Sequence, residues 1–197
     1  GDGRLDLIAS NWGLNSKYRA TAEAPRRLYF GDFGGAGGVD TIEACWDPIR
    51  QRDLPDRDRD AVARAIPAVL ALFPPHQTYG EATTADLLGE AAATAARAEV
   101  TTLESMLFLN RGDRFEAVPL PLEAQLTPAF GIAVGDLDGD GNEDLFLSQN
   151  FFAMQPKTSR SDAGRGLWLR GDRNGEFRAV PGQLSGLQIY GEQRGCA

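Results

Sequence analysis

The sequence predicts a mainly β fold that carries one helical insertion. Three observations support this prediction: an acidic loop between two short apolar segments, partial copies of that loop elsewhere, and a repeated hairpin phrase. Recurrence of one short supersecondary pattern is typical of repeat proteins, in which neighbouring copies bury a shared core. The chain is therefore expected to consist of repeated strand pairs.

The most informative segment is the acidic loop at residues 136–144, DLDGDGNED. Carboxylates stand at its positions one, three, five and nine, and a glycine at position six permits a sharp turn. Side chains in this register can converge on one hard cation, and the carbonyl at position seven can add an oxygen. The alternative interpretation is an acidic surface turn. The favoured one is a Ca²⁺ site whose ligands are Asp136, Asp138, Asp140, Asn142 and Asp144.

The flanks of this loop determine the kind of calcium site. An EF-hand requires a bidentate Glu at position twelve and a helix on each side, but position twelve here is Leu147. The flanking segments, 129–134 and 145–148, are short, apolar and bounded by turn residues, as strands are. The ion is therefore expected to staple a turn between two strands.

A truncated copy of the loop lies at the start of the chain. Residues 1–10 align with residues 139–148, which places Asp2 opposite Asp140 and Asp6 opposite Asp144. The chain thus begins inside this loop, two ligands short. Arg4 occupies position seven and is expected to contribute its backbone carbonyl.

A degenerate copy lies at residues 32–40, DFGGAGGVD. It keeps Asp32, Asp40 and the glycine of position six, whereas Gly34 and Ala36 replace two of the carboxylates. We expect this segment to keep the backbone path of the intact loop without binding an ion tightly.

A second phrase separates the loops. Residues 107–118 and 167–180 each read as an apolar strand, a Gly/Asp turn and Phe-x-Ala-Val, which predicts a hairpin. Phe115 and Phe177 are 62 positions apart, a spacing that suits one four-stranded unit with long connections. Hairpins alternating with strand–loop–strand segments are the elements of β-propeller blades.

The acidic loop, the strand before it and the Leu-x-Leu-Asn-x-Gly hairpin resemble FG-GAP or VCBS repeats. These repeats form the propellers of integrin α-subunits and of bacterial VCBS-repeat proteins, some of which carry an ASPIC/UnbV domain. The resemblance covers residues 1–44 and 104–195, and no ASPIC/UnbV segment is visible. It implies a seven-bladed propeller with Ca²⁺ in its blade loops, acting outside the cytoplasm, at the cell envelope or extracellularly, in adhesion or ligand binding. The chain would then be a partial propeller of about three blades, with open strand edges and low stability on its own.

The expected organisation has three parts: blade segments at residues 1–44 and 104–197, and a helical insertion at residues 45–103. The pattern at 56–73 predicts a helix that Pro67 ends or kinks. Thr83 and Asp86 form a capping-box signature for a second helix, expected to run through Ala98. This insertion is interpreted either as a specificity element or as a structural cover.

Composition bounds the function. The net charge of −8 argues against nucleic acid as a partner, and no apolar run is long enough to cross a membrane. Cys45 and Cys196 are expected to be free. With one His and no nucleophile elbow, no catalytic triad is evident. Two functions remain: a non-catalytic calcium-binding propeller that recognises a protein or glycan, and, as the alternative, part of a polysaccharide-acting enzyme such as a lyase.

Overall fold

The computed structural model describes residues 3–155 and 157–196. The chain divides into two compact units. The first, here called the discontinuous unit, comprises Gly1–Tyr18 and Leu103–Ala197. The second, here called the inserted unit, comprises Arg19–Thr102. Asp2 lies outside the described residues.

Short strands dominate both units. The strands are β1 (Leu7–Ala9), β2 (Arg26–Gly31), β3 (Asp40–Asp47), β4 (Arg52–Pro55), β5 (Ala96–Val100), β6 (Met106–Asn110), β7 (Phe115–Pro119), β8 (Ala129–Gly135), β9 (Asp144–Gln149), β10 (Leu167–Gly171) and β11 (Phe177–Val180). The α-helices are α1 (Arg59–Ala63), α2 (Val69–Leu72), α3 (His76–Glu81), α4 (Thr84–Leu88) and α5 (Gly182–Ser185).

The discontinuous unit contains two antiparallel sheets. One is a four-stranded meander with the order β11-β10-β9-β8, in which Leu145 pairs with Val134 on one side and with Leu169 on the other. The other has the order β1-β6-β7. Both predicted hairpins are present, as β6–β7 and β10–β11. Strands β1, β6 and β7 of the three-stranded sheet thus correspond to strands β9, β10 and β11 of the meander.

The core of the discontinuous unit lies around the central strands. Leu145, Leu147 and Leu169 are fully buried, and each contributes roughly 1.5–3 kcal/mol of stabilisation relative to an exposed side chain. The remaining buried members of this cluster are Leu107, Leu120, Ala124, Ala129 and Leu167. Strand β9 follows the acidic loop directly. Because β9 is buried on both faces, its position is fixed, and so is the end of the loop that leads into it.

The inserted unit combines a four-stranded sheet, in the order β4-β3-β2-β5, with helices α1–α4. Its own buried cluster is Ile42, Val62, Ile66, Val69, Tyr79, Ala82, Leu87 and Leu88. The side chain of Asp58 caps α1 by accepting from the amide of Ala61 at 2.8 Å. As predicted, Pro67 stands in the interruption between α1 and α2.

The inserted segment differs from the predicted helical insertion at 45–103. The predicted boundary at residue 44 falls inside β3, and both β4 and β5 lie within the range. The second helix starts at its capping box, as predicted, but α4 ends at Leu88 and a 3₁₀ turn follows to Ala93. The expectation of a helix through Ala98 is wrong, because Ala96–Val100 pair with β2 instead.

The reason is tertiary pairing that overrides local helix propensity. Gly89 adopts a φ of +56°, which ends α4. Beyond it, β5 completes the sheet through backbone bonds to β2, and Glu99 accepts from Arg27 Nε at 2.8 Å. Arg27 also lies 2.6 Å from Asp53 on β4. The ion pairs thus tie the two edge strands to β2.

The mainly β class is confirmed by these antiparallel sheets. The described residues form no closed ring of sheets, so the partial propeller stays a prediction. Cys45 and Cys196 are free. Among the helices of the described ranges, none combines the length and apolarity needed to cross a membrane.

Candidate metal centre

The acidic loop connects β8 to β9 and folds around the carboxylate of Asp136. One oxygen of Asp136 accepts from the amides of Gly139 at 2.8 Å and Asp140 at 3.1 Å. The other accepts from Gly141 at 2.9 Å. Gly139 and Gly141 have φ values of +77° and +84°, in the left-handed region that favours glycine. The first residue and the two glycines therefore determine the turn together.

Three of the predicted ligands converge. Asp136, Asp138 and Asp144 each offer an oxygen, and these atoms lie within 4.8 Å of one another. Oxygens that share one Ca²⁺ lie about 2.3–2.6 Å from it, so two of them can be up to about 5 Å apart. The three carboxylates therefore fit a Ca²⁺ ion in spacing and in chemistry, since all are hard anionic oxygen ligands.

Asp144 is the rigid member of the group. It is fully buried, and its oxygens accept from the amide of Gly171 at 2.9 Å, the amide of Leu137 at 3.1 Å and Trp168 Nε1 at 3.0 Å. A side chain at Gly171 would place its Cβ 2.1 Å from the Glu143 carbonyl, so only glycine allows this approach. Asp144 thereby links the loop to β10.

Asp140 and Asn142 lie outside the converged group. Asp140 accepts from an Arg170 guanidinium nitrogen at 2.8 Å and from both nitrogens of Asn142, at 2.9 Å and 2.8 Å. The hydrogen bond from Arg170, followed by the Asn142 amide, lowers the pKa of Asp140. The same hydrogen bond raises the pKa of Arg170. The predicted oxygen of Asn142 is its backbone carbonyl, and that role stays a prediction.

Arg170 places its own positive charge beside the loop. Its Nε lies 2.7 Å from Asp138, so its guanidinium bridges two of the predicted ligands. Sequence reasoning missed Arg170, Trp168 and Gly171, because they lie on β10, more than twenty positions after the loop. The available signal was the aligned hairpin phrase, whose strand pairs directly with β9.

The degenerate loop at residues 32–40 shares this framework. Asp32 accepts from the amides of Ala36 at 3.0 Å and Gly37 at 2.9 Å, as Asp136 does at the same positions. Asp40 accepts from the amide of Phe33 at 3.0 Å, as Asp144 does from Leu137. The glycines at positions four and six, Gly35 and Gly37, have φ values of +69° and +79°.

This degenerate loop also shows why one ligand is missing. A Cβ on Gly34 would lie 2.7 Å from the backbone carbonyl of Ala65. The position that carries Asp138 in the intact loop is thus closed to any side chain here. The amide of Gly34 instead donates to Asp40 at 2.7 Å.

The described part of the N-terminal loop repeats the junction seen at Asp144. Asp6 accepts from the amide of Asn110, at the end of β6, at 2.8 Å, just as Asp144 accepts from Gly171 at the end of β10. Gly3, at position six, has a φ of +80°. Arg4 Nε donates to the Asn110 carbonyl at 2.7 Å. The intact loop therefore shares its turn bonds with residues 32–40, and its junction to the end of a neighbouring strand with Asp6.

Comparison of the chain with models of protein families, with curated proteins and with solved structures gave no match. The FG-GAP/VCBS resemblance therefore rests on the sequence motifs alone and stays a prediction.

Proposed function

We propose that this chain is a calcium-stapled, non-catalytic binding domain, built as part of an FG-GAP/VCBS-type β-propeller. Its role is to recognise a protein or glycan at the cell envelope or outside the cell. The observation that carries the proposal is the convergence of Asp136, Asp138 and Asp144 within 4.8 Å. Carboxylate oxygen alone favours Ca²⁺ over Zn²⁺ or copper, which prefer nitrogen and sulfur ligands.

The position of the group indicates a structural role for the ion. Asp136 and Asp138 belong to the turn, whereas Asp144 is bonded to Gly171 at the end of the next strand. An ion shared by these carboxylates would tie the β8–β9 turn to β10. It would also offset repulsion within the loop, where Arg170 now supplies a counter-charge to Asp138 and Asp140.

Two pairwise likenesses between the loops support a repeat architecture. Matching hydrogen bonds occur at residues 32–40 and 136–144, and the strand after the loop is anchored alike at Asp6 and Asp144. Extracellular calcium modules bind with dissociation constants of about 10⁻⁴–10⁻³ M. A site of this kind would fill only where calcium is abundant, as it is outside the cytoplasm.

Calorimetric titration of the 197-residue chain with CaCl₂ tests the metal assignment. We expect a dissociation constant of about 10⁻⁴–10⁻³ M, and a loss of about ten-fold or more in Asp138→Ala and in Asp140→Ala. Asp113→Ala is the matched control, because Asp113 is a highly exposed loop carboxylate paired with its neighbour Arg114. Unchanged affinity in both loop variants would refute the site.

A further inference from the structure

A second cleft, remote in sequence from the acidic loop, lies in the discontinuous unit. Its volume is about 360 Å³, and its lining comes from residues 15–18, Met154 and residues 157–163. The sequence contains two lysines, Lys17 and Lys157, 140 positions apart. Both line this cleft together with Arg160. A chain of net charge −8 thus gathers its whole complement of lysine around one cavity.

Asn150 anchors the base of the loop that forms one wall of the cleft. Its fully buried side chain exchanges hydrogen bonds with Gly164, donating to the carbonyl at 2.9 Å and accepting from the amide at 2.8 Å. A Cβ on Gly164 would lie 2.6 Å from the side chain of Gln149, so the two ends of the loop meet closely. Phe151 and Ser161 then form a β-bridge. The loop that carries Lys157 and Arg160 therefore has a fixed base.

The opposite wall is anchored independently. The amide of Gly13 donates to the Leu103 carbonyl at 2.7 Å, and the amide of Leu14 donates to Gln125 at 2.7 Å. The Trp12 ring packs edge-on against Phe151, with centroids 5.3 Å apart. This aromatic contact joins the segment that carries Lys17 to the loop that carries Lys157.

The lining combines positive charge with hydroxyl groups. Among the described residues of the lining, three side chains are cationic and one, Asp162, is a carboxylate, whose oxygen lies 3.2 Å from Arg160 Nε. Tyr18 adds an aromatic ring, with Lys17 Nζ 5.0 Å from its centroid. The hydroxyl-bearing members of the lining besides Tyr18 are Ser16, Thr158, Ser159 and Ser161.

We propose that this cleft binds an acidic saccharide, with Lys17 and Lys157 pairing with its carboxylate. The hydroxyl side chains match the hydroxyls of a sugar ring. The site names the ligand class for the binding function proposed above, and it rests on that function. The metal loop takes no part in it.

The charge of the rest of the chain favours a saccharide over a longer polyanion. Nucleic acid and anionic membranes are bound by extended basic surfaces, whereas this chain carries 28 acidic against 20 basic residues. Three cationic side chains gathered in one cleft suit a small ligand with one anionic group among neutral hydroxyls. Specificity would then come from the hydroxyl-rich lining.

The test uses two sugars that differ in one group. Methyl β-glucuronide carries a carboxylate where methyl β-glucoside carries a hydroxymethyl group. Each is titrated into the ¹⁵N-labelled 197-residue chain in EDTA, and amide shifts are followed. We expect the glucuronide to shift cleft amides and to bind about ten-fold or more tightly than the glucoside, as expected for a charge-assisted pair.

Variants assign the binding to this cleft. The double variant Lys17→Gln/Lys157→Gln is expected to lose about ten-fold or more in glucuronide affinity. Asp162→Asn is expected to gain about two- to five-fold, because it removes the competing carboxylate. Arg114→Gln, a change at a highly exposed arginine paired with Asp113, is the matched control. Far-ultraviolet circular dichroism verifies folding of each variant.

Three results would overturn the proposal: equal affinity for both sugars, glucuronide binding that survives the double lysine change, or tighter binding of inorganic phosphate or a short oligothymidylate. Calcium calorimetry on the same double variant separates the two proposals. Normal calcium binding without glucuronide binding in the unmodified chain refutes the saccharide site alone. Glucuronide binding without calcium binding refutes the metal assignment alone.

Discussion

Arg170 lies with its Nε 2.7 Å from a carboxylate oxygen of Asp138. A second guanidinium nitrogen donates to Asp140, so one side chain supplies positive charge to two carboxylates that the sequence assigns to Ca²⁺. Arginine is permanently charged, and its planar fork suits paired carboxylates. The loop therefore has an internal cation that would compete with a metal ion for these carboxylates.

Replacing Arg170 by glutamine should raise calcium affinity. The pair is half-exposed and screened, so the expected gain is about two- to five-fold. Calorimetry on Arg170→Gln measures it, with Arg178→Gln as the control, because Arg178 is a more exposed arginine on β11. Weaker calcium binding in Arg170→Gln would show that the guanidinium supports the site.

Asp144→Asn should lower stability even without metal. Its carboxylate accepts three hydrogen bonds in full burial, and an amide presents a donor to groups that are all donors. The expected loss is about 2–3 kcal/mol in the free energy of unfolding. Urea unfolding in EDTA measures it. Asp138→Asn, at a more exposed position on the turn, should change stability less under the same conditions. Equal effects would contradict the structural role of Asp144.

The degenerate loop should tolerate one restored ligand and reject the other. Ala36→Asp is expected to fold normally. Gly34→Asp should cost about 1–3 kcal/mol, because its Cβ would meet the Ala65 carbonyl at 2.7 Å. Thermal unfolding of both variants provides the comparison. A Gly34→Asp protein as stable as the parent would show that this approach is not constraining.

The start of α4 should show a pH-dependent contribution. Asp86 accepts from the amide of Thr83 at 2.8 Å, and hydrogen bonds from Thr83 lower the pKa of Asp86 below its ordinary value of 3.8. A lowered folded-state pKa means that the stabilisation is present above pH 3.8 and disappears as the pH falls through the folded-state value. Urea unfolding of Asp86→Asn should therefore show a deficit of about 0.5–1 kcal/mol at pH 7.

At pH below the folded-state pKa the parent and Asp86→Asn should converge. Asp60→Asn is a matched control, since Asp60 is an exposed acidic residue in the first turn of α1. A deficit that does not shrink as the pH is lowered stepwise below 3.8 would contradict the assignment.

The sequence predicted the loops because their determinants are local. The glycines at positions four and six and the carboxylates at one and nine set the turn within nine residues, as the matching hydrogen bonds of Asp32 and Asp136 show. The capping box of Thr83 and Asp86 was equally local. Features that depend on distant pairing were not predictable in this way. Strand β5 is defined by its partner β2, about seventy residues earlier, although its alanines favour a helix.

The same limit applies within the candidate site. Arg170 and Trp168 reach the loop because β10 pairs with β9 in one particular register. A shift of that register by one residue would turn both side chains to the other face of the sheet. The acidic residues therefore indicated a cation, while the side chains that surround them became visible only once the register was known.

The pairing of β1 with β6 has a consequence for the order of folding. Leu7 pairs with Phe108, so this sheet closes a loop of about a hundred residues, and loop closure costs more entropy as the flexible chain lengthens. The inserted unit buries its own cluster around Ile42 and Val69. If the inserted unit collapses first, most of the segment between β1 and β6 is no longer flexible when these two strands pair. Pulsed hydrogen exchange should then find the amide of Ile42 protected before that of Leu107. The reverse order would show that β1 pairs with β6 before the inserted unit folds.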